Sequence, residues 1–117
     1  MNVRFFISIL ILFVFFNYSY AESHRPQAFL IQIHGAKDEG MQIYNHFCVN
    51  CHAKKPLIEL GAPKIGDAHD WSLRLKQGMK ILFQHTDEGL NAMPPRGGCF
   101  ECTDNQLLLS IIEMLPK

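Results

Sequence analysis

Apolar positions fall into blocks of different period, and each period predicts a different element. The first block, Phe5 to Phe16, is unbroken save for Ser8; it follows Arg4 and leads into Asn17-Tyr18-Ser19-Tyr20-Ala21. A basic start, a short apolar run and a Ser-x-Ala ending describe a secretory signal peptide. The run falls short of the ~20 residues that a membrane-spanning helix needs. Residues 1–21 are therefore expected to be cleaved, with an uncleaved anchor prolonged by Tyr18 and Tyr20 as the alternative. The second block, Ala28-Phe29-Leu30-Ile31-Gln32-Ile33, fits a short strand or an extra helical turn and is broken by Gly35. His24 and His34 belong to this N-terminal extension, residues 22–36, and are expected to be solvated.

From Asp38 the period becomes helical. Met41, Tyr44 and Phe47 with Cys48 recur at three- and four-residue spacing, which predicts one apolar stripe. Asp38 is placed to cap this helix, with Glu39 in its first turn. Gly40 stands four residues before Tyr44, where it costs about 1 kcal/mol of helix propensity; close approach by another helix would explain it. Residues 53–69 contain Pro56, Gly61, Pro63 and Gly66 and read as a loop. A second helix opens at Asp70, its expected cap, and a third continues from Met79 after a break at Gly78; Leu75, Met79, Leu82 and Phe83 form the inward stripe. Residues 89–98 hold two consecutive prolines and a glycine pair behind Met93, a stiff loop that presents one side chain. Thr103 with Gln106 forms a capping box for a last helix, whose apolar face is Leu107, Leu108, Ile111, Ile112 and Leu115 before Pro116.

Chemistry concentrates at Cys48-Val49-Asn50-Cys51-His52. Two thiols a helical turn apart can each add to a porphyrin vinyl group, and the adjacent histidine can ligate the iron. Without the histidine the motif would be a redox dithiol or half of a zinc site. A proximal histidine commonly donates its second ring N–H to a carbonyl, and Gly61-Ala62-Pro63 is the segment suited to supply one. The other axial position has candidates in Met41, Met79, Met93 and Met114 and in the histidines at 24, 34, 46, 69 and 85. Three of those methionines lie on helical stripes as core filler, whereas Met93 stands in the rigid loop; His69 or His85 is the alternative. Trp71 fits either a haem propionate contact or an ordinary core position.

Composition narrows the class. The chain has 117 residues and a formal net charge of zero, enough for one small domain after cleavage and no footprint for nucleic acid. Export implies the periplasm or an equivalent oxidising space, where disulfides persist. Cys99 and Cys102 can then form a structural disulfide, a catalytic dithiol, or zinc ligands together with the first pair. Lys54, Lys55, Lys64 and Arg96 flank the ligand segments as a weakly basic rim or as plain solvated surface.

Taken together, Cys48-Val49-Asn50-Cys51-His52, Gly61-Ala62-Pro63, Asn91 to Gly98 and the closing helix resemble class I cytochrome c, most nearly the bacterial cytochrome c5 type. That type carries an extra Cys-x-x-Cys after the methionine loop, matched here by Cys99-Phe100-Glu101-Cys102, and this favours the disulfide. The resemblance spans residues 37–117, the expected cytochrome c domain. It implies an all-α fold of three to five helices wrapped around one covalently bound haem c, with first and last helices crossing near Gly40. Cys48 and Cys51 would be the thioether anchors, His52 and Met93 the axial ligands, and Pro63 the carbonyl partner of His52. The family often has an aromatic on the last helix at that crossing, where this chain offers Leu, Ile and Met114. The implied function is a periplasmic one-electron carrier, not an enzyme. It would serve redox partners such as a membrane cytochrome complex or a terminal oxidase, as a monomer or weak dimer, and touch the membrane only if residues 1–21 remain. The rivals are a thiol–disulfide oxidoreductase using Cys99 and Cys102, a zinc-bound module, and a haem-based ligand sensor.

Overall fold

A computed structural model describes residues 25–117. The expected signal peptide and His24 lie outside them. Helix α1 (Pro26–Ile33) opens on Pro26, whose fixed φ suits a first helical position, and ends before Gly35 at φ 78°. Residues 26–33 are thus two helical turns, the second of the two forms expected of them. Leu30 and Ile33, three apart, bury one face of α1 against Ile43, Leu107, Cys99 and Cys102.

The next helical path runs through α2 (Glu39–Ile43), a π-helical turn (Tyr44–Cys48) and α3 (Val49–His52). A single α-helix was expected here; the widened turn interrupts it at the first cysteine of the pair, and such turns are frequent at functional sites. Asp38 does not cap it: its carboxylate accepts from Gln42 Nε2 at 3.0 Å. Two further helices follow, α4 (Ala68–Leu75) and α5 (Met79–Glu88), separated at Gly78, whose φ of 84° permits the break. A 3-10 segment (Pro95–Gly98) precedes α6 (Asp104–Met114). With the α2–π–α3 path counted once, the described residues hold five helices and only an isolated bridge between Leu90 and Met93. This is the all-α class expected.

Helices α2 and α6 form the most extensive interface. A Cβ on Gly40 would lie 2.7 Å from the Leu109 carbonyl oxygen, so the crossing needs glycine there. The Thr103–Gln106 capping box forms in both directions, at 3.2 and 3.0 Å. The face that α6 buries differs from the apolar one expected. Gln106, Leu107, Ser110, Ile111 and Met114 are buried, while Ile112 is exposed. The reason is polar. Gln106 Nε2 donates to Glu39 Oε1 at 2.8 Å and reaches the Leu30 carbonyl at 3.3 Å, drawing that side of α6 inward. Glu39 is itself buried, and Gly35 N–H donates to its other oxygen at 2.9 Å. Burial opposes ionisation, but hydrogen bonds from Gln106, Gly35 and His34 outweigh it and hold the carboxyl below its ordinary value.

Candidate functional site

Cys48 closes the π turn, and Cys51 and His52 complete α3. The chain then leaves the helix at Ala53, with φ −64° and ψ 161°. Three side chains of the motif therefore share one helical turn. Cys48 and Cys51 are free thiols and are not bonded to each other. Burial pushes the Cys48 thiol up to about 11, with Ser110 opposing and Cys51 adding to the shift. A half-buried thiol held in its protonated form is a poor nucleophile for disulfide exchange.

His52 is buried and tightly oriented. Its Nδ1 lies 2.8 Å from the Pro63 carbonyl oxygen, as the Gly61-Ala62-Pro63 segment implied. An Nδ1–H donor in that bond leaves Nε2 with a free lone pair for a metal. Burial lowers the pKa of the ring, and the Arg74 charge lowers it further, against the Pro63 bond; the neutral, ligating form is favoured. The acceptor is in turn strapped in place. Ile65 N–H donates to the His52 carbonyl at 2.8 Å, and Lys64 N–H donates to Asp70 Oδ2 at 3.1 Å. Trp71 Nε1–H donates to the Lys64 carbonyl at 2.9 Å. Of the two roles open to Trp71, the observed one is a core tryptophan, packed with Tyr44, Leu82 and Met114, its N–H spent on backbone. Asp67, not Asp70, caps α4, because Asp67 is extended and its side chain accepts from Asp70 N–H. Asp70 thereby points its carboxylate at the strap, and the Lys64 hydrogen bond lowers its pKa despite some desolvation.

Met93 sits in the loop between α5 and the 3-10 segment. Leu90 and Met93 exchange backbone hydrogen bonds at 3.1 and 2.9 Å, and Asn91 takes a left-handed φ of 53° to close the turn. A Cβ on Gly89 would fall 2.8 Å from the Met93 carbonyl oxygen, so the backbone there has no room for a side chain. The 3-10 segment beyond Met93 packs against the π turn that ends in Cys48. Met114 is buried in core, Met41 and Met79 pack against the same cluster, and His69 is almost wholly exposed. The contacts of Arg96, Asp70 and Trp71 escape a linear reading, because each partner is chosen by tertiary placement. The one local signal was Asp67-x-x-Asp70, a cap spacing.

A family model described as cytochrome C oxidase, cbb3-type, subunit III matches residues 35–108. Cytochrome c5 of Azotobacter vinelandii is 37% identical over 82 residues, which cover 68% of this chain and 95% of that protein. Cytochrome c-555 of Chlorobaculum tepidum is 35% identical over 67% of this chain and 73% of its own length. The chain belongs to the class I c-type cytochromes and is cytochrome c5-like. It is an electron-transfer protein, not an enzyme. A solved structure titled as the electron transfer complex of nitrite reductase with cytochrome c matches this cytochrome with a TM-score of 0.58 and 36% identity. That match covers 65% of this chain and 89% of the solved one.

The family's group is covalently bound haem c, which supplies an iron that gains and loses one electron. The residues present suit it. Two unpaired thiols and a neutral, oriented imidazole are the required donors. Leu57, Ile58, Leu60 and Leu90 flank the motif and the methionine, and the polypeptide alone leaves them exposed, Leu57 by 85%. Large apolar side chains left uncovered beside the donors fit a bulky apolar ligand. The suggested basic rim loses one member. Arg96 is only 20% exposed and is paired with Asp87 and Asp104.

Proposed function

We propose that this cytochrome works in the periplasm as a single-haem, one-electron carrier between respiratory redox partners. Cys48 and Cys51 hold the haem, and His52 and Met93 are its axial ligands. The observation that carries this is the 2.8 Å bond from His52 to the Pro63 carbonyl, which fixes the ring on a strapped support and leaves its other nitrogen free to ligate. A neutral thioether from Met93 stabilises ferrous iron and raises the potential relative to a second histidine. Two protein ligands on the iron leave no position for substrate, which suits electron transfer and disfavours a ligand sensor.

Residues 1–21 act as the signal peptide, residues 22–36 as an N-terminal extension, and residues 37–117 as the cytochrome c domain. Cys99 and Cys102, 1% and 5% exposed and bonded to each other within the α1 core cluster, serve as a structural disulfide. Their burial disfavours a thiol–disulfide oxidoreductase, and the bond removes them as zinc ligands. The nitrite reductase complex of the structural relative supports a redox-protein partner. A membrane cytochrome complex or terminal oxidase fits the same role.

Replacing Met93 by Ala tests the ligand set. The potential is expected to fall and the reduced iron to bind carbon monoxide. An unchanged potential with no carbon monoxide binding would remove Met93 from the iron.

A further inference from the structure

We propose that Arg96 is the positioning residue for the Met93 sulfur, locking the ligand loop to both flanking helices and to the disulfide loop. This rests on Met93 being the sixth ligand. Arg96 Nη1 donates to Asp87 Oδ1 near the end of α5. Its Nη2 donates to the Cys102 carbonyl at 2.7 Å and to Asp104 Oδ1, the first residue of α6, at 3.1 Å. One guanidinium thus gathers three acceptors from three separate elements, three residues beyond the methionine. Its planar fork makes this possible; a lysine ammonium lacks that geometry.

The backbone bears the mark of the same constraint. Arg96 has φ 58° and ψ 17°, a left-handed conformation that a non-glycine residue adopts at a cost. Gly97 repeats that conformation, and a Cβ placed on it would lie 3.6 Å from the Met93 methyl carbon. Gly97 therefore lies near the end of the Met93 side chain, which any side chain at that position would touch. Arg96, the residue before it, is tied by its side chain to α5, to the disulfide loop and to α6. Its Nε is buried with no hydrogen-bond partner, so the group is not arranged to satisfy itself. The two terminal nitrogens do the holding.

Releasing the clamp should let the sulfur leave the iron more often without removing it as a ligand. Imidazole binding to the ferric holoprotein reads that equilibrium, because imidazole must wait for the methionine to depart. In Arg96→Gln the apparent imidazole affinity is expected to rise about tenfold, the scale of losing charge-assisted hydrogen bonds. The near-infrared charge-transfer band of sulfur-ligated ferric haem should persist in the absence of imidazole. Arg96→Lys should restore only part of the wild-type behaviour. In a Met93→Ala background, Arg96→Gln should have no further effect on imidazole binding.

A change of less than about twofold in Arg96→Gln, with Met93→Ala itself binding imidazole tightly, would overturn the role of Arg96 alone. A further gain in the Met93→Ala background would also overturn it, because the effect would not pass through the sulfur. Wild-type imidazole binding and an intact sulfur band in Met93→Ala would overturn the ligand assignment instead. Should Arg96→Gln fail to fold, Asp87→Ala removes one acceptor and keeps the arginine. A rise in affinity there supports the clamp, and wild-type affinity there overturns it.

Discussion

Replacing Trp71 by Phe removes the indole N–H and leaves most of the ring packing in place. The Lys64 carbonyl then loses a donor at 2.9 Å, and because Lys64 is half-buried, water replaces that bond only in part. The lost hydrogen bond is worth about 1 kcal/mol. The smaller ring leaves a gap in a cluster with Tyr44, Leu82 and Met114, which adds roughly as much again. A total near 2 kcal/mol corresponds to a fall in melting temperature of roughly 10 °C for a domain of this size. The strap survives, since Asp70 still holds Lys64 N–H and His52 still accepts from Ile65. The Pro63 carbonyl becomes less firmly held, however, and the His52 hydrogen bond weakens with it. A weaker bond lowers imidazole basicity, disfavours ferric iron and raises the potential. Thermal unfolding followed by circular dichroism, with a redox titration of the same sample, measures both effects. Wild-type melting together with a wild-type potential would refute the role of Trp71 as the anchor of the strap.

Gly40→Ala should destabilise the protein by about 1–3 kcal/mol in chemical denaturation, even though alanine gains up to about 1 kcal/mol of helix propensity, because Leu109 backbone occupies the Cβ position. Increased stability would mean that α2 and α6 do not meet as described. Acid should weaken the fold. Glu39 and Asp70 are both held below their ordinary values of 4.5 and 3.8, so their stabilisation is full above those values and is lost as pH falls below them through the lowered folded values. Stability measured against pH should drop in that window, and Glu39→Gln should flatten the drop; parallel curves would argue against Glu39.

What could be read from the chain was mostly local chemistry. The Cys48–His52 motif, the Pro63 acceptor, the Thr103–Gln106 box and the demand for glycine at position 40 each depend on a few neighbours or on one steric requirement. Capping was harder, because Asp67 and Asp70 are equally good cap residues and only backbone conformation separates them: Asp67 is extended, with φ −84° and ψ 106°. Asp38 failed as a cap for a similar reason, its side chain being drawn to Gln42. The polar face of α6 was hidden because Gln106 finds Glu39, 67 residues earlier, and no local pattern encodes such a partner. Arg96 read as a surface cation for the same cause, its acceptors lying on two other helices and a turn.

The most direct measurement is made on the protein purified from cells that produce it, denatured and extracted with acidic organic solvent. The iron porphyrin should stay with the polypeptide, one per chain, on the peptide that contains Cys48, Cys51 and His52. Pigment that partitions into the solvent, or a colourless protein at the outset, would contradict the covalent haem site on which the electron-transfer role depends.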